Sequence, residues 1–141
     1  MRLNIDCLRD LLLAIEENTG YQRAALFLDV ELVQKMNDFL EVSTDMQDFQ
    51  VSLLQSYSNA ELMYHLRYLV EARLITIQGE WGGSQCLVLD LTPAGHSFIG
   101  DLRSSTVFEK AKALAEKLGI ASVPAFQQLA AKLMHDIIHG S

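Results

Sequence analysis

The chain has 141 residues, 50% of them hydrophobic and 21% charged, enough apolar material for a core without staples. That excludes a disordered chain, a collagen-like chain and a disulfide scaffold. Lys and Arg number 11 against 18 Asp and Glu, a formal charge of −7, so a duplex-binding surface would need a local basic patch.

Residues 3–18 read as a first helix, with Leu3, Cys7 or Leu8, Leu11, Leu12 and Ile15 on one side and Gly20 suited to a left-handed stop. Residues 24–40 read as a second, with Leu26, Val30, Val33, Met36 and Leu40 as its stripe; Ala24–Asp29 could be a strand instead, which leaves the start open. Thr44-Asp45-Met46-Gln47 fits a capping box, opening a third helix that runs to about Ser56. Ser58-Asn59-Ala60-Glu61 is a second box, and a fourth helix follows to about Ala72. Its expected inner face is Leu62, Leu66, Leu69 and Val70; its outer face is Glu61, Tyr64, Arg67, Tyr68 and Glu71.

Leu74–Gln78 and Gln85–Leu91 then read as two strands joined by a glycine-rich loop, Gly79-Glu80-Trp81-Gly82-Gly83-Ser84. Thr92-Pro93 opens a helix with Thr as N-cap and Pro in the first turn, where no N–H is needed. A helix from about Thr106 to Leu118 stops at Gly119. A last one starts at Ser122, with Phe126, Leu129, Leu133 and Ile137 as its stripe.

Helix, helix, tight turn, helix and hairpin is the order of a winged helix-turn-helix. The expected class is therefore mainly α (α+β): a winged helix-turn-helix core with a two-stranded wing and additional C-terminal helices. Residues 1–100 form the winged-helix part, with an inserted helix at about 24–40. Residues 101–141 form a helical extension that packs on it or on a second copy. In a DNA-binding version the helix at 58–72 would enter the major groove and the loop at 79–84 would be the wing.

Three stretches carry a resemblance. They are Leu8-Arg9-Asp10-Leu11-Leu12-Leu13-Ala14-Ile15-Glu16-Glu17; Tyr57-Ser58-Asn59-Ala60-Glu61 with Tyr64-His65-Leu66 and Leu69–Ile75; and Leu91-Thr92-Pro93-Ala94-Gly95-His96-Ser97-Phe98-Ile99. Together they resemble a family of small uncharacterised proteins of bacterial genomes and their phages, a domain of unknown function. The resemblance implies a winged-helix core and a phage or prophage setting, and no activity. The family usually has Gly in the stretch that here reads Glu71-Ala72-Arg73-Leu74-Ile75; losing it removes the easy left-handed cap.

Two surfaces compete for function. Asn59 can pair with adenine and Arg67 can reach guanine or phosphate, but Glu61 and Glu71 share their helix, and the wing carries Glu80 with no Lys or Arg. DNA is thus disfavoured by charge. Tyr64, Arg67, Tyr68 and Trp81 are residue types that dominate protein interfaces and are the candidate partner-binding set.

The sequence therefore points to a regulatory or adaptor module acting through protein contacts with an unidentified host or phage protein, with DNA-binding transcription regulation as the alternative. The apolar face of the last helix suggests a homodimer. His135 and His139, four apart, lack a third fixed ligand, so no metal is expected; no cofactor and no catalytic constellation are expected either. Cys7 and Cys86 read as core thiols. With no signal peptide and no 18-residue apolar run, a cytoplasmic protein without a membrane partner is the expectation.

Overall fold

A computed structural model describes residues 1–37 and 45–140. Among them are seven helices and three strands: α1 (Ile5–Asn18), β1 (Ala25–Leu28), α2 (Val30–Asn37), α3 (Asp48–Leu54), α4 (Asn59–Glu71), β2 (Ile75–Ile77), β3 (Gln85–Leu91), α5 (Pro93–Leu102), α6 (Ser105–Leu118) and α7 (Val123–Ile138). The chain is mainly helical with one small antiparallel sheet, as its hydrophobic periodicity predicts.

The sheet has three strands in the order β1-β3-β2: the expected β2–β3 hairpin is present and β1 adds a third strand to it. Ala25–Leu28 is extended rather than the start of a helix, pairing Phe27 with Cys86 and Leu28 with Gln85. A four-residue apolar run has no helical preference strong enough to resist the open edge of a longer strand. The helix expected over 24–40 therefore begins at Val30; its continuation through Leu40 lies outside the described residues. β2 pairs with β3 from Ile75↔Leu91, with a register shift between Thr76 and Ile77.

The outer edge of β1 is closed by side chains. The Leu26 N–H donates to Gln47 Oε1 (2.9 Å). The fully buried Gln50 accepts from the Leu28 N–H (3.0 Å) and donates to the Leu28 carbonyl (2.6 Å), pairing with that residue as a neighbouring strand would. Gln47 is thus occupied at β1 and α3 begins at Asp48, a correction to the expected capping box; Thr44 lies outside the described residues.

One hydrophobic cluster joins α1, α4, the sheet and the C-terminal helices through residues such as Leu8, Leu66, Val88, Phe98 and Phe126. Residues 101–140 pack on the rest of their own chain. Phe98 and Phe126 meet edge to face at 5.9 Å, and the Arg9 guanidinium lies 4.5 Å from the centroid of the Phe108 ring. Lys112 pairs with Asp6 at 2.8 Å, and Arg103 pairs with Glu16.

Candidate partner-binding face

α4 starts where Ser58 accepts from the Glu61 N–H (3.1 Å). Half of the expected capping box is formed; the Glu61 carboxylate instead accepts from the Asn4 side chain (2.9 Å), linking α4 to the start of α1. Leu62, His65, Leu66 and Leu69 are buried, and Val70, expected among them, is half-buried.

His65 is fully buried and uses both ring nitrogens. Nε2 accepts from the Asn4 N–H (2.7 Å), so Nδ1 carries the proton and donates to the Glu61 carbonyl (2.8 Å). Burial holds its pKa below the usual histidine value, against the upward pull of that hydrogen bond and the Glu61 charge. This histidine is a structural pin between α4 and the N-terminus.

The helix ends in a left-handed turn without glycine. Arg73 has φ +58°, its N–H bonds to the Val70 carbonyl (3.0 Å), and the Leu74 N–H bonds to the Leu69 carbonyl (3.0 Å). These are the two bonds of a Schellman cap. The left-handed cap therefore forms without glycine; arginine takes the strained conformation itself. The next helix locks this turn. Thr92 donates its hydroxyl to the Arg73 carbonyl (2.8 Å) and caps α5 by accepting from the Gly95 N–H (3.0 Å). A Cβ on Gly95 would lie 2.1 Å from the Leu74 carbonyl oxygen, which is why glycine stands in this stretch.

Of the candidate residues, Tyr64, Arg67 and Tyr68 are brought together on one side of α4. Tyr64 is 41% exposed and meets the half-buried Tyr68 edge to face at 4.9 Å. Arg67 and Glu71 form an ion pair at 3.0 Å. Beyond Tyr68, a pocket of about 280 Å³ opens between the end of α4 and the start of α7, lined by Ala72, Val123 and Pro124.

Trp81 is elsewhere. It folds back half-buried against the core and lines a separate pocket of about 230 Å³ with Leu32 and Met63. Asn59 is engaged at both ends of its amide: Oδ1 accepts from the Val30 N–H (2.9 Å) and Nδ2 donates to Asp29 (3.0 Å), which itself caps α2 through the Leu32 N–H (3.1 Å). Sequence reasoning missed this junction, although an Asp directly before a helical stripe is an N-cap signal.

Among the described residues, no group of three or more His, Cys, Asp or Glu side chains is placed to hold a metal. His135 and His139 have ring centroids 4.1 Å apart near the end of α7. Burial pushes the Cys7 thiol up to about 12 and the Cys86 thiol up to about 11, so both stay protonated and weakly nucleophilic at neutral pH. No helix of the described residues is long and apolar enough to cross a membrane.

Residues 27–121 match the family described as Hypothetical protein (DUF2513). The chain belongs to this family. The DUF2513 match takes in the α4 candidates, Trp81 and two of the three resembling stretches, and leaves α1 and α7 outside it. No curated protein and no solved structure matches the chain.

Proposed function

We propose that this DUF2513 protein is a winged-helix module that acts as a regulator or adaptor through protein contacts. The order α1-β1-α3-α4-β2-β3, with β1 beside β3 and the extra α2 between β1 and α3, supports the winged-helix reading. The observation that carries the functional reading is the state of the polar groups on α4. The Asn59 amide is engaged at the β1–α2 junction, and the exposed Arg67 guanidinium sits against the Glu71 carboxylate, a charge that opposes a phosphate backbone. What α4 offers outward is the Tyr64–Tyr68 pair beside a shallow apolar pocket. The phage or prophage setting and a host or phage protein as partner rest on the sequence resemblance alone. The cytoplasm is the compartment this reading expects, and no catalytic step is part of it.

The alternative, a DNA-binding regulator, draws its support from the same element order. Selection from a random-duplex library by the purified full chain separates the two. The protein-contact reading expects no enriched sequence at low salt. Enrichment of a sequence, with affinity falling steeply as salt rises, overturns it.

A further inference from the structure

We propose that the groove between α1 and α3 receives one face of a basic amphipathic helix from a partner protein. α1 presents Asp10, Leu13, Ala14 and Glu17 to this groove, spaced i, i+3, i+4 and i+7. The opposite wall is Phe49, Ser52 and Leu53 of α3, followed by Ser56 and Tyr57 in the turn after it. The groove holds about 350 Å³. Its α1 wall spans roughly 10 Å, two helical turns, the length over which a docked helix places anchors at i, i+3, i+4 and i+7.

The floor and the rim differ in chemistry. Leu13, Ala14, Phe49 and Leu53 are partly or largely buried apolar groups packed against the core. Small side chains, Ala14, Ser52 and Ser56, leave the space between the walls open. The charged groups lining it are the carboxylates of Asp10 and Glu17, with no Lys or Arg among the described lining residues.

Two carboxylates of α1 outside the groove lining are already neutralised, Asp6 by Lys112 and Glu16 by Arg103. On the groove side, Asp10 accepts from the uncharged Tyr57 hydroxyl (2.6 Å). Arg23, at the groove's end, donates to the Glu17 carbonyl (3.3 Å) and to Asn18 (3.5 Å). The groove also belongs to the most acidic third of the chain, where residues 1–50 hold 4 basic and 10 acidic groups. An apolar floor with a carboxylate rim is complementary to a helix carrying leucines on one face and Lys or Arg along its edges.

This inference rests on the protein-contact reading but uses a surface distinct from α4. The probe is a fluorescent synthetic peptide of about 18 residues, long enough to be helical when docked, with Leu on one face and Lys on the other. Two controls have the same composition scrambled to destroy the face, and the same face with Glu in place of Lys. The full chain should bind the first peptide, lose affinity as salt rises, and bind either control at least about tenfold more weakly. Amide shifts should map to α1 and α3.

Glu17→Lys, at an exposed position, should weaken binding about tenfold, while Glu80→Lys on the β2–β3 loop, an equal charge change, should not. Equal binding of the scrambled peptide, or equal losses from both reversals, reduces the attraction to net charge and overturns the proposal. Shifts confined to α4 overturn the groove and leave the protein-contact reading standing. Self-association of the chain without peptide uptake assigns the groove to a second copy and overturns the proposal too.

Discussion

The backbone N–H of Asn4 donates to Nε2 of His65 at 2.7 Å, across 61 residues of sequence. Asn4 also caps α1 by accepting from the Cys7 N–H (3.2 Å) and donates its side-chain amide to Glu61 (2.9 Å). The start of α1 and the first two turns of α4 are therefore one hydrogen-bonded unit. It holds the N-terminal segment beside Tyr68, whose hydroxyl reaches the Met1 carbonyl at 3.5 Å.

That unit requires a neutral imidazole, because a protonated ring has no acceptor for Asn4. The folded-state pKa of His65 is lowered, so between it and the unfolded value of about 6.5 the unfolded chain binds more protons. Stability from this group is complete above about pH 6.5 and declines as pH falls towards the lowered folded value. Urea midpoints of the wild-type chain between pH 7.5 and 5.5, pH values bracketing roughly the ordinary histidine pKa, should fall more steeply than those of His65→Leu. Equal slopes would remove His65 as the source. At neutral pH His65→Leu should be less stable by about 1–3 kcal/mol, the cost of leaving the Asn4 N–H unpaired.

Asn59→Ala separates a structural asparagine from a base-reading one. The side chain satisfies the first N–H of α2 and braces Asp29, so its loss should lower stability by about 1–2 kcal/mol and speed amide exchange at Val30 and Leu32. Unchanged stability and exchange would return Asn59 to the list of free surface groups.

Arg73→Gly should raise stability by about 1 kcal/mol, because glycine takes a positive φ without a Cβ clash, less the entropy it adds to the unfolded chain. Chemical denaturation of the two chains measures it. A loss of stability would mean that the arginine side chain contributes more than its strain.

Gly95→Ala should destabilise by about 3 kcal/mol, since the new methyl must displace the Leu74 carbonyl and with it the Schellman turn and the α5 cap. Thermal unfolding reports this. A neutral result would show that α5 can shift away from α4 without loss.

Much of this fold is legible in sequence because it is local. Ser58, Thr92 and Ser122 each cap a helix through the N–H three residues on, and Gly119 ends α6 at φ +69°. What decides the rest is long-range. Ala25–Leu28, open to helix or strand in the sequence, becomes a strand because β3 offers an edge about 60 residues away, a pairing that no local propensity encodes. Gln50 looks like a surface residue until that edge needs an acceptor and a donor.

The candidate site divides in the same way. The spacing of Tyr64, Arg67 and Tyr68 puts them on one side of a helix, whereas the setting of Trp81 and of Asn59 depends on the start of α2, which comes from earlier in the chain. Ile137, read as part of an apolar stripe, and its neighbour Ile138 stay 45% and 70% exposed at the end of α7, while Phe126 and Ala130 of the same helix are buried.

The central proposal is that α4 does not read a duplex, with Asn59 engaged inside the fold and Arg67 set against Glu71. The most direct test is a residue-resolved amide spectrum of the full chain titrated with random-sequence duplex at low salt, where phosphate attraction is strongest. The account predicts no saturable shifts along α4 and the β2–β3 loop. Saturating shifts at Asn59, Arg67 and the loop, abolished by moderate salt, would contradict it and make α4 a recognition helix.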